Sequence, residues 1–442
     1  MRTPIYDFLQ NYSKSGVTRL HMPGHKGQKN KIYALDITEI AGADSLYEAS
    51  GIIKESENNA SEIFGAHTFY STEGSSLAIR AMMHLCCLYA ASKNEKPLIL
   101  AGRNAHKVFL SSAALLDFEI EWLYGDNYLS CHIDPEILDK AIKRAKRNPT
   151  AVYITSPDYL GGRVDIRAIA DVCKSNGVLL VVDNAHGSYL KFLPKSEHPI
   201  DLGADMCADS AHKTLPVLTG GAYLHVSKNA PRICADNAKE ALLLFGSTSP
   251  SYMILSSLDS ANPELSTEFI AKMSTLVVKI ANFKKELEDH GYVMYGNEPT
   301  KITIMSKAFG YLGTELAEIL QKQKIYVEFA DKDFLVLMFS PYNSEDDIER
   351  TLAVLTSVER RTEILSKAPR LTESVRAISV RNAMLSASEL ISVDECEGRI
   401  LSNAHVGCPP AVPIVISGEI ITRDAIDAMK YYGIESAQVL KR

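Results

Sequence analysis

The sequence predicts an α/β fold, in which a mixed, mostly parallel sheet covered by helices is followed by a smaller α+β domain and a C-terminal segment. Three observations carry this. Short apolar runs alternate with polar periodic stretches from about residue 60 to 226, as strands and helices do when they alternate along a chain. Pro263 introduces a long amphipathic stretch and then a second, sparser set of strand candidates. A chain of 442 residues is also long enough for two or three domains at roughly 150 residues each.

The elements follow in order. Residues 1–40 read as an N-terminal arm and 41–262 as the large domain. Ser75–Ala91, small and apolar at its start, reads as a helix. Leu98–Ala101, Ile120–Tyr124, Ala151–Thr155, Val178–Val182, Met206–Ala208 and Ala222–Val226 read as strands, because continuous apolar runs of this length suit a parallel sheet buried on both faces. Asp165–Asn176 reads as a helix stopped by Gly177. Residues 263–368 read as a smaller domain, with a helix over Glu264–His290, strands at Lys301–Ser306, Tyr326–Phe329 and Phe334–Phe339, and helices at Glu315–Gln323 and Glu345–Glu359. In the C-terminal domain, 369–442, the stretch GCPPAVPIVISGE at 407–419 is too apolar for a linker and is expected to pack on the body or on a partner chain.

Composition narrows the classes. With 47 Lys+Arg against 54 Asp+Glu, the net charge is -7, which argues against a nucleic-acid or anionic-membrane binder. The opening MRTPIYDFLQ has no apolar core of a secretory signal, and the longest apolar runs fall far short of the roughly 20 residues that span a bilayer. Both point to a cytoplasmic protein. The eight cysteines (Cys86, Cys87, Cys131, Cys173, Cys207, Cys234, Cys396, Cys408) form no CxxC pair and read as reduced, mostly buried thiols. No metal is expected: His21 and His25 have the spacing of a helical pair, but Pro23 and Gly24 between them forbid the helix.

Reactive groups in an open α/β sheet gather at the carboxyl ends of the strands. There the sequence places Arg103-Asn104-Ala105-His106-Lys107, Asp183-Asn184-Ala185-His186-Gly187 and Asp209-Ser210-Ala211-His212-Lys213, with Glu73-Gly74-Ser75-Ser76 entering a helix. These are the parts of a pyridoxal phosphate site: a lysine for the Schiff base (Lys213), an acid under the pyridine nitrogen (Asp183), and phosphate donors at a helix N-terminus (Gly74, Ser75, Ser76). Ser210 and His212 can reach the phosphate, and His106 is a flat group to stack on the ring. Singly, each has an ordinary reading: a solvated lysine, a capping aspartate, a helix cap, a polar histidine. Their order and strand-end placement favour the joint one.

The chain resembles the bacterial ornithine/lysine/arginine decarboxylases, in the short form without an N-terminal wing domain. The resemblance runs nearly end to end, through LHMPGHKGQ (20–28), DITEIAGADSL (36–46), GIIKESENNASEIFGA (51–66), SPDYLGGRVDI (156–166), VDNAHG (182–187), SAHKTLPVLTGGAYLH (210–225) and STSPSYMILSSLD (247–259). It implies a fold type I, aminotransferase-like enzyme that uses pyridoxal 5'-phosphate and works as a homodimer or larger homo-oligomer with a shared active site. It implies Lys213 as the Schiff-base lysine, Asp183 as the pyridinium partner and His106 as the stacking histidine. Ala185 and His186 line the ring's other face and the substrate pocket. Ser75, Ser76, Ser210 and His212 contact the phosphate, and Thr248 and Ser249 reach it from the neighbouring subunit. His25 and Lys26 are the residues of the LHMPGHKG segment assigned to the substrate.

Two positions depart from the family pattern. The phosphate helix carries Glu73-Gly74-Ser75-Ser76 where the family has Asn-Gly followed by two hydroxyl residues. Ser402-Asn403 and Cys408-Pro409-Pro410-Ala411 replace Ala-Glu and Tyr-Pro-Pro-Gly, so Asn403 stands where relatives hold the distal cation with an acid. The activity implied is decarboxylation of arginine, lysine or ornithine to a polyamine precursor, with Lys213 or His212 returning a proton to Cα. The rival readings are another pyridoxal-phosphate reaction on the same fold, such as transamination or lyase chemistry, or a non-catalytic relative that keeps the cofactor.

Overall fold

The computed structural model describes residues 1–28, 30–125, 132–408 and 412–442; Cys131, Pro409, Pro410 and Ala411 lie outside them. The chain divides into two compact units, each assembled from separated segments. The first comprises Met1–Ala101, Asp134–Ser156 and Asp165–Ala271, the second Gly102–Ile133, Pro157–Val164 and Lys272–Arg442.

Seven strands follow in this part of the chain: β1 (His67–Ser71), β2 (Leu98–Gly102), β3 (Glu119–Leu123), β4 (Ala151–Thr155), β5 (Leu179–Asp183), β6 (Met206–Asp209) and β7 (Ala222–Val226). Six of them, in the order β1-β7-β6-β5-β4-β2, lie in the first unit, and β3 belongs to the second. β2, β4, β5 and β6 run parallel, while β7 is antiparallel to both β6 and β1. Every residue of β2, β5, β6 and β7 is buried, so these strands read as unbroken apolar runs rather than alternating ones. The helix Ile166–Ser175 begins with Asp165 accepting from the Ala168 N–H and ends before Gly177, whose φ of +67° suits glycine.

The arm and its neighbours supply α1 (Pro4–Lys14), α2 (Lys31–Leu35), α3 (Ile52–Phe64) and α4 (Gly74–Ser92). α1 is capped from far along the chain: Asp259 Oδ2 accepts from Ile5 N at 2.8 Å and Tyr6 N at 3.0 Å. Its other oxygen accepts from the Ser56 hydroxyl, which also bonds Tyr70 at 2.8 Å. Burial pushes the Asp259 carboxyl up to about 6.

Pro263 does not mark the break expected of it. It sits in the last turn of a helix that runs Tyr252–Leu265, and the next helix is Phe269–Asp289. A proline so close to a helix end removes little pairing. The chain turns three residues later, where the Ser266 and Thr267 hydroxyls both donate to the Pro263 carbonyl at 2.8 Å. Tyr326–Phe329 is also shorter as a strand than its sequence indicates: the strand there is Phe329–Ala330, and Tyr326 is exposed.

The second unit holds an antiparallel four-stranded sheet and two hairpin-like pairs. Ser388–Ser392 pairs with Ser436–Leu440, and His405–Cys408 with Val412–Ile416. Every residue of Val412–Ile416 is buried, and Val412, Ile414 and Val415 cluster with Leu401, Ile421, Ile426 and Met429, so this described part of the apolar stretch packs within its own unit.

Candidate functional site

Three strand ends and one helix start build the candidate site in the first unit. β5 ends on Asp183, whose register neighbours are Thr155 on β4 and Ala208 on β6. Asp183 is 2% exposed. Its Oδ2 accepts from the Tyr153 hydroxyl at 3.0 Å and its Oδ1 from Ala185 N at 3.2 Å. Burial, and then the Asp183 charge, push the Tyr153 phenol well above its ordinary value. It therefore stays protonated and remains a fixed donor. Tyr153 has no place among the sequence-level candidates, because an aromatic inside Ala-Val-Tyr-Ile-Thr looks like core.

After Asp183 the chain turns, with Gly187 N donating to the Asn184 carbonyl at 2.8 Å, and this presents His186. His186 Nε2 lies 2.9 Å from Lys213 Nζ. Lys213 itself sits in the single helical turn Ala211–Thr214 that follows β6. One residue earlier, His212 Nδ1 is 2.9 Å from the Gly221 carbonyl. A carbonyl only accepts, so Nδ1 carries a hydrogen, and Nε2 is the ring atom through which His212 can exchange a proton.

The root of this turn is Asp209, fully buried. It accepts from Asn184 Nδ2 at 2.8 Å and pairs with His198 at 3.1 Å and His225 at 3.4 Å. Burial alone would raise the Asp209 carboxyl, but His198 and His225 outweigh it and hold the group well below the carboxylate range. Ligand atoms of His198, Cys207 and Asp209 lie within 4.8 Å of one another, as a metal site would need. The Asp209 oxygens are already engaged by Asn184, Cys207 and His198, so the cluster serves as an internal anchor for the segment bearing Ser210 and Lys213.

The start of α4 faces the same turn. Gly74 has φ +70°, and its N–H donates to the Gly220 carbonyl at 2.7 Å. No side chain caps α4, which leaves first-turn amides without an acceptor from Glu73. A Cβ on Gly74 would meet nothing within 4 Å, so the helix start is open. The Ser75 and Ser210 hydroxyls are 2.8 Å apart, and Ser76 lies in the same first turn. Uncapped amides at the start of a 19-residue helix, joined by two hydroxyls, form a receptor for an anion.

Glu73 is turned outward to a different task. Its Oε1 accepts from Ser247 N at 2.7 Å, while Ser249 N donates to the Ser247 hydroxyl at 3.1 Å. Thr248 and Ser249 are themselves exposed.

The remaining candidates have other partners or belong to the second unit. His25 and Lys26 are engaged within the arm: His25 pairs with Asp36 at 3.0 Å and stacks on Tyr33, and Lys26 Nζ donates to the His21 carbonyl at 2.6 Å. His106 and Asn403 belong to the second unit. His106 caps α5 (Lys107–Leu116), its Nδ1 accepting from Val108 N at 3.3 Å. Asn403 is exposed, just before the strand His405–Cys408.

Comparison with known proteins gives a consistent picture. Residues 3–305 match the major domain of the Orn/Lys/Arg decarboxylases and residues 361–438 match their C-terminal domain. An arginine decarboxylase of Bacillus subtilis (strain 168) is 29% identical over 462 residues, covering 96% of this chain and 92% of the relative. An arginine decarboxylase of Bacillus anthracis is 28% identical, covering 97% and 92%. Among solved structures, the lysine decarboxylase LdcF of Francisella novicida superposes with a TM-score of 0.80 at 16% identity, over 99% of this chain and 81% of that one.

Proposed function

The chain belongs to the Orn/Lys/Arg decarboxylase family, and from that membership we propose that it removes the carboxylate of arginine, lysine or ornithine with pyridoxal phosphate as cofactor. The product is a diamine or agmatine, a precursor of polyamines. The observation that carries the reading is local: the Lys213 amine is 2.9 Å from His186, which stands three residues beyond the buried strand-end acid Asp183.

The residues fit the cofactor. The open, uncapped start of α4 with Ser75, Ser76 and Ser210 would hold its phosphate, Lys213 its aldehyde carbon and Asp183 its ring nitrogen. His106 is the residue assigned to stack on the ring. When bound, pyridoxal phosphate supplies a sink for the electron pair left at Cα as carbon dioxide departs.

This chain's own groups do the rest. Asp183 would serve the ring nitrogen as its acid partner, and the Tyr153 hydroxyl, kept protonated by its burial, fixes the orientation of that carboxyl. Lys213 would hold the cofactor's aldehyde carbon, and His186 Nε2, 2.9 Å from the Lys213 amine, is within reach to accept a hydrogen bond from it. Either Lys213 as its ammonium or His212 from a protonated Nε2, its Nδ1 being held by the Gly221 carbonyl, would return the proton to Cα. Substrate orientation sets which bond breaks, since only the bond perpendicular to the ring feeds the sink.

The protein acts as a cytoplasmic homodimer in this reading, with Thr248 and Ser249 serving the phosphate of the partner's site. Their exposure and the tether from Ser247 to Glu73 support that role. Two measurements test the proposal. Purified protein loaded with cofactor releases carbon dioxide from at least one of arginine, lysine and ornithine; amino-group transfer without carbon dioxide release refutes decarboxylation. Mixing Lys213→Ala chains with Thr248→Ala/Ser249→Ala chains restores part of the activity, because half of the sites in hybrid dimers escape both changes. No recovery after confirmed subunit exchange refutes the shared site.

A further inference from the structure

We infer that the C-terminal domain positions His106, through a buried Arg103–Glu419 ion pair and a second grip on the far end of α5. The inference rests on reading His106 as the residue stacked on the cofactor ring. It adds a task for the C-terminal domain that lies away from the substrate.

Arg103 stands three residues before His106, on the loop that leaves β2. Its backbone N donates to the Leu123 carbonyl at 2.9 Å, and Ala105 N closes a turn on the Gly102 carbonyl at 3.0 Å. The loop between Arg103 and His106 is therefore tight, and movement at one end is passed to the other. The Arg103 Nη2 donates to Glu419 Oε2 at 2.8 Å, and the two side chains are 8% and 2% exposed. The guanidinium also lies over the Trp122 ring, 5.4 Å from its centroid.

Glu419 is held as rigidly as its partner. Its Oε2 accepts from Ile416 N at 2.8 Å, its own N donates to the Ile416 carbonyl at 3.0 Å, and its carbonyl accepts from Leu401 N at 3.0 Å. It follows Gly418, which has φ +87° and would place a Cβ only 2.4 Å from the Ile378 carbonyl. No other residue fits that turn without moving Glu419.

The same domain takes hold of α5 at its other end. Arg381 Nη1 donates to the Ala114 carbonyl at 2.6 Å and the Leu115 carbonyl at 3.2 Å, two of the acceptors that a helix C-terminus leaves unpaired. Arg376 donates to the Ile120 carbonyl on β3 at 2.8 Å. His106 is the residue that caps α5, so its ring is oriented by the helix it begins. Clamping both ends of α5 fixes where that ring lies. A buried ion pair adds little net stability when compared with an apolar replacement, but it is directional and strongly penalises the loss of one partner. That suits a positioning contact.

The test uses full-length protein and pyridoxal phosphate as the probe. The dissociation constant of the cofactor is measured by titrating apoprotein, and the visible circular dichroism of the bound cofactor is recorded. Glu419→Gln, which keeps volume and removes charge, raises the dissociation constant about tenfold, equivalent to about 1.4 kcal/mol of lost positioning. His106→Ala raises it at least as much, and the double variant is no weaker than His106→Ala alone, because Glu419 acts through His106. Arg381→Gln, a milder change on the opposite end of α5, shifts both readouts in the same direction and serves if Glu419→Gln does not fold. Arg399→Gln breaks a different pair in the same domain, with Glu389 at 2.7 Å, and lowers thermal stability without moving the dissociation constant. If His106→Ala weakens the cofactor but Glu419→Gln and Arg381→Gln do not, or if the effects add in the double variant, the inference is wrong. If His106→Ala itself leaves the cofactor unchanged, the stacking role of His106 falls and takes the inference with it.

Discussion

Replacing Asp183 by Asn separates charge from shape at the centre of the site. Two neutral donors hold the carboxylate, the Tyr153 hydroxyl at 3.0 Å and the Ala185 N–H at 3.2 Å, and the residue is 2% exposed. A cation at hydrogen-bond distance, roughly 3 Å, from a buried carboxylate gains about 5 kcal/mol at an effective dielectric of about 20. The amide retains a neutral hydrogen bond worth about 1 kcal/mol, which leaves about 4 kcal/mol lost. At about 1.4 kcal/mol per factor of ten, kcat falls by roughly 10³ if the full term is expressed in the transition state. The amide matches the volume of the acid, so the fold and the phosphate contacts are retained. The assay is carbon dioxide release at saturating cofactor, with cofactor content and melting temperature measured on the same sample. A fully loaded, folded variant with kcat within about tenfold of wild type would show that Asp183 does not stabilise the ring charge.

Further outcomes follow from other contacts. Lys213→Ala loses the covalent link to the cofactor, so borohydride reduction followed by peptide mapping finds the adduct at Lys213 in the wild type and none in the variant; an adduct at Lys107 or Lys191 contradicts the assignment. The Asp259 carboxyl, raised from 3.8 to about 6, contributes stability that is complete below pH 3.8 and is lost as pH rises through 6. The full loss is about 3 kcal/mol, of which about 2 kcal/mol falls between pH 4.5 and 8. Urea unfolding of wild type against Asp259→Asn at those two pH values should show the difference shifting toward the variant by that amount, and a pH-independent difference refutes it. Asn403→Glu, restoring an acid, tightens a basic substrate up to about tenfold because a charged hydrogen bond exceeds a neutral one by about 1 kcal/mol. Unchanged KM for arginine, lysine and ornithine would mean that another group holds the distal cation.

Much of the large domain is legible in the sequence because its central strands are buried on both faces. Val178–Val182 is a continuous apolar run and Ala222–Val226 is one broken only by His225, and the polar groups at strand ends, Asp183 above all, stand out against them. What the sequence hides is pairing across distance. Tyr153 and Asp183 meet because β4 and β5 lie side by side, but within its strand Tyr153 is one apolar residue among several. Arg103 and Glu419 are 316 residues apart, and neither looks unlike a solvated charge. Pro263 misleads in another way: a proline is a strong signal for a boundary, yet it tolerates the final turn of a helix, and the turn itself falls on Ser266–Glu268. The outward turn of Glu73 onto Ser247 is equally unreadable from a motif that elsewhere suggests only a phosphate helix.

The capping of α1 by Asp259 also sets a schedule for synthesis. The acceptor for Ile5 N is 254 residues away, so the first helix cannot receive its cap until well over half of the chain has been made. At roughly 5–20 residues per second that is a delay of about 10–50 s, during which α1 can pack on the early-made α3 but lacks the helix that carries Asp259. The arm thus meets part of its packing surface early and its cap only much later. A contact of such sequence separation also slows refolding from denaturant, since loop closure must be achieved before the contact can form.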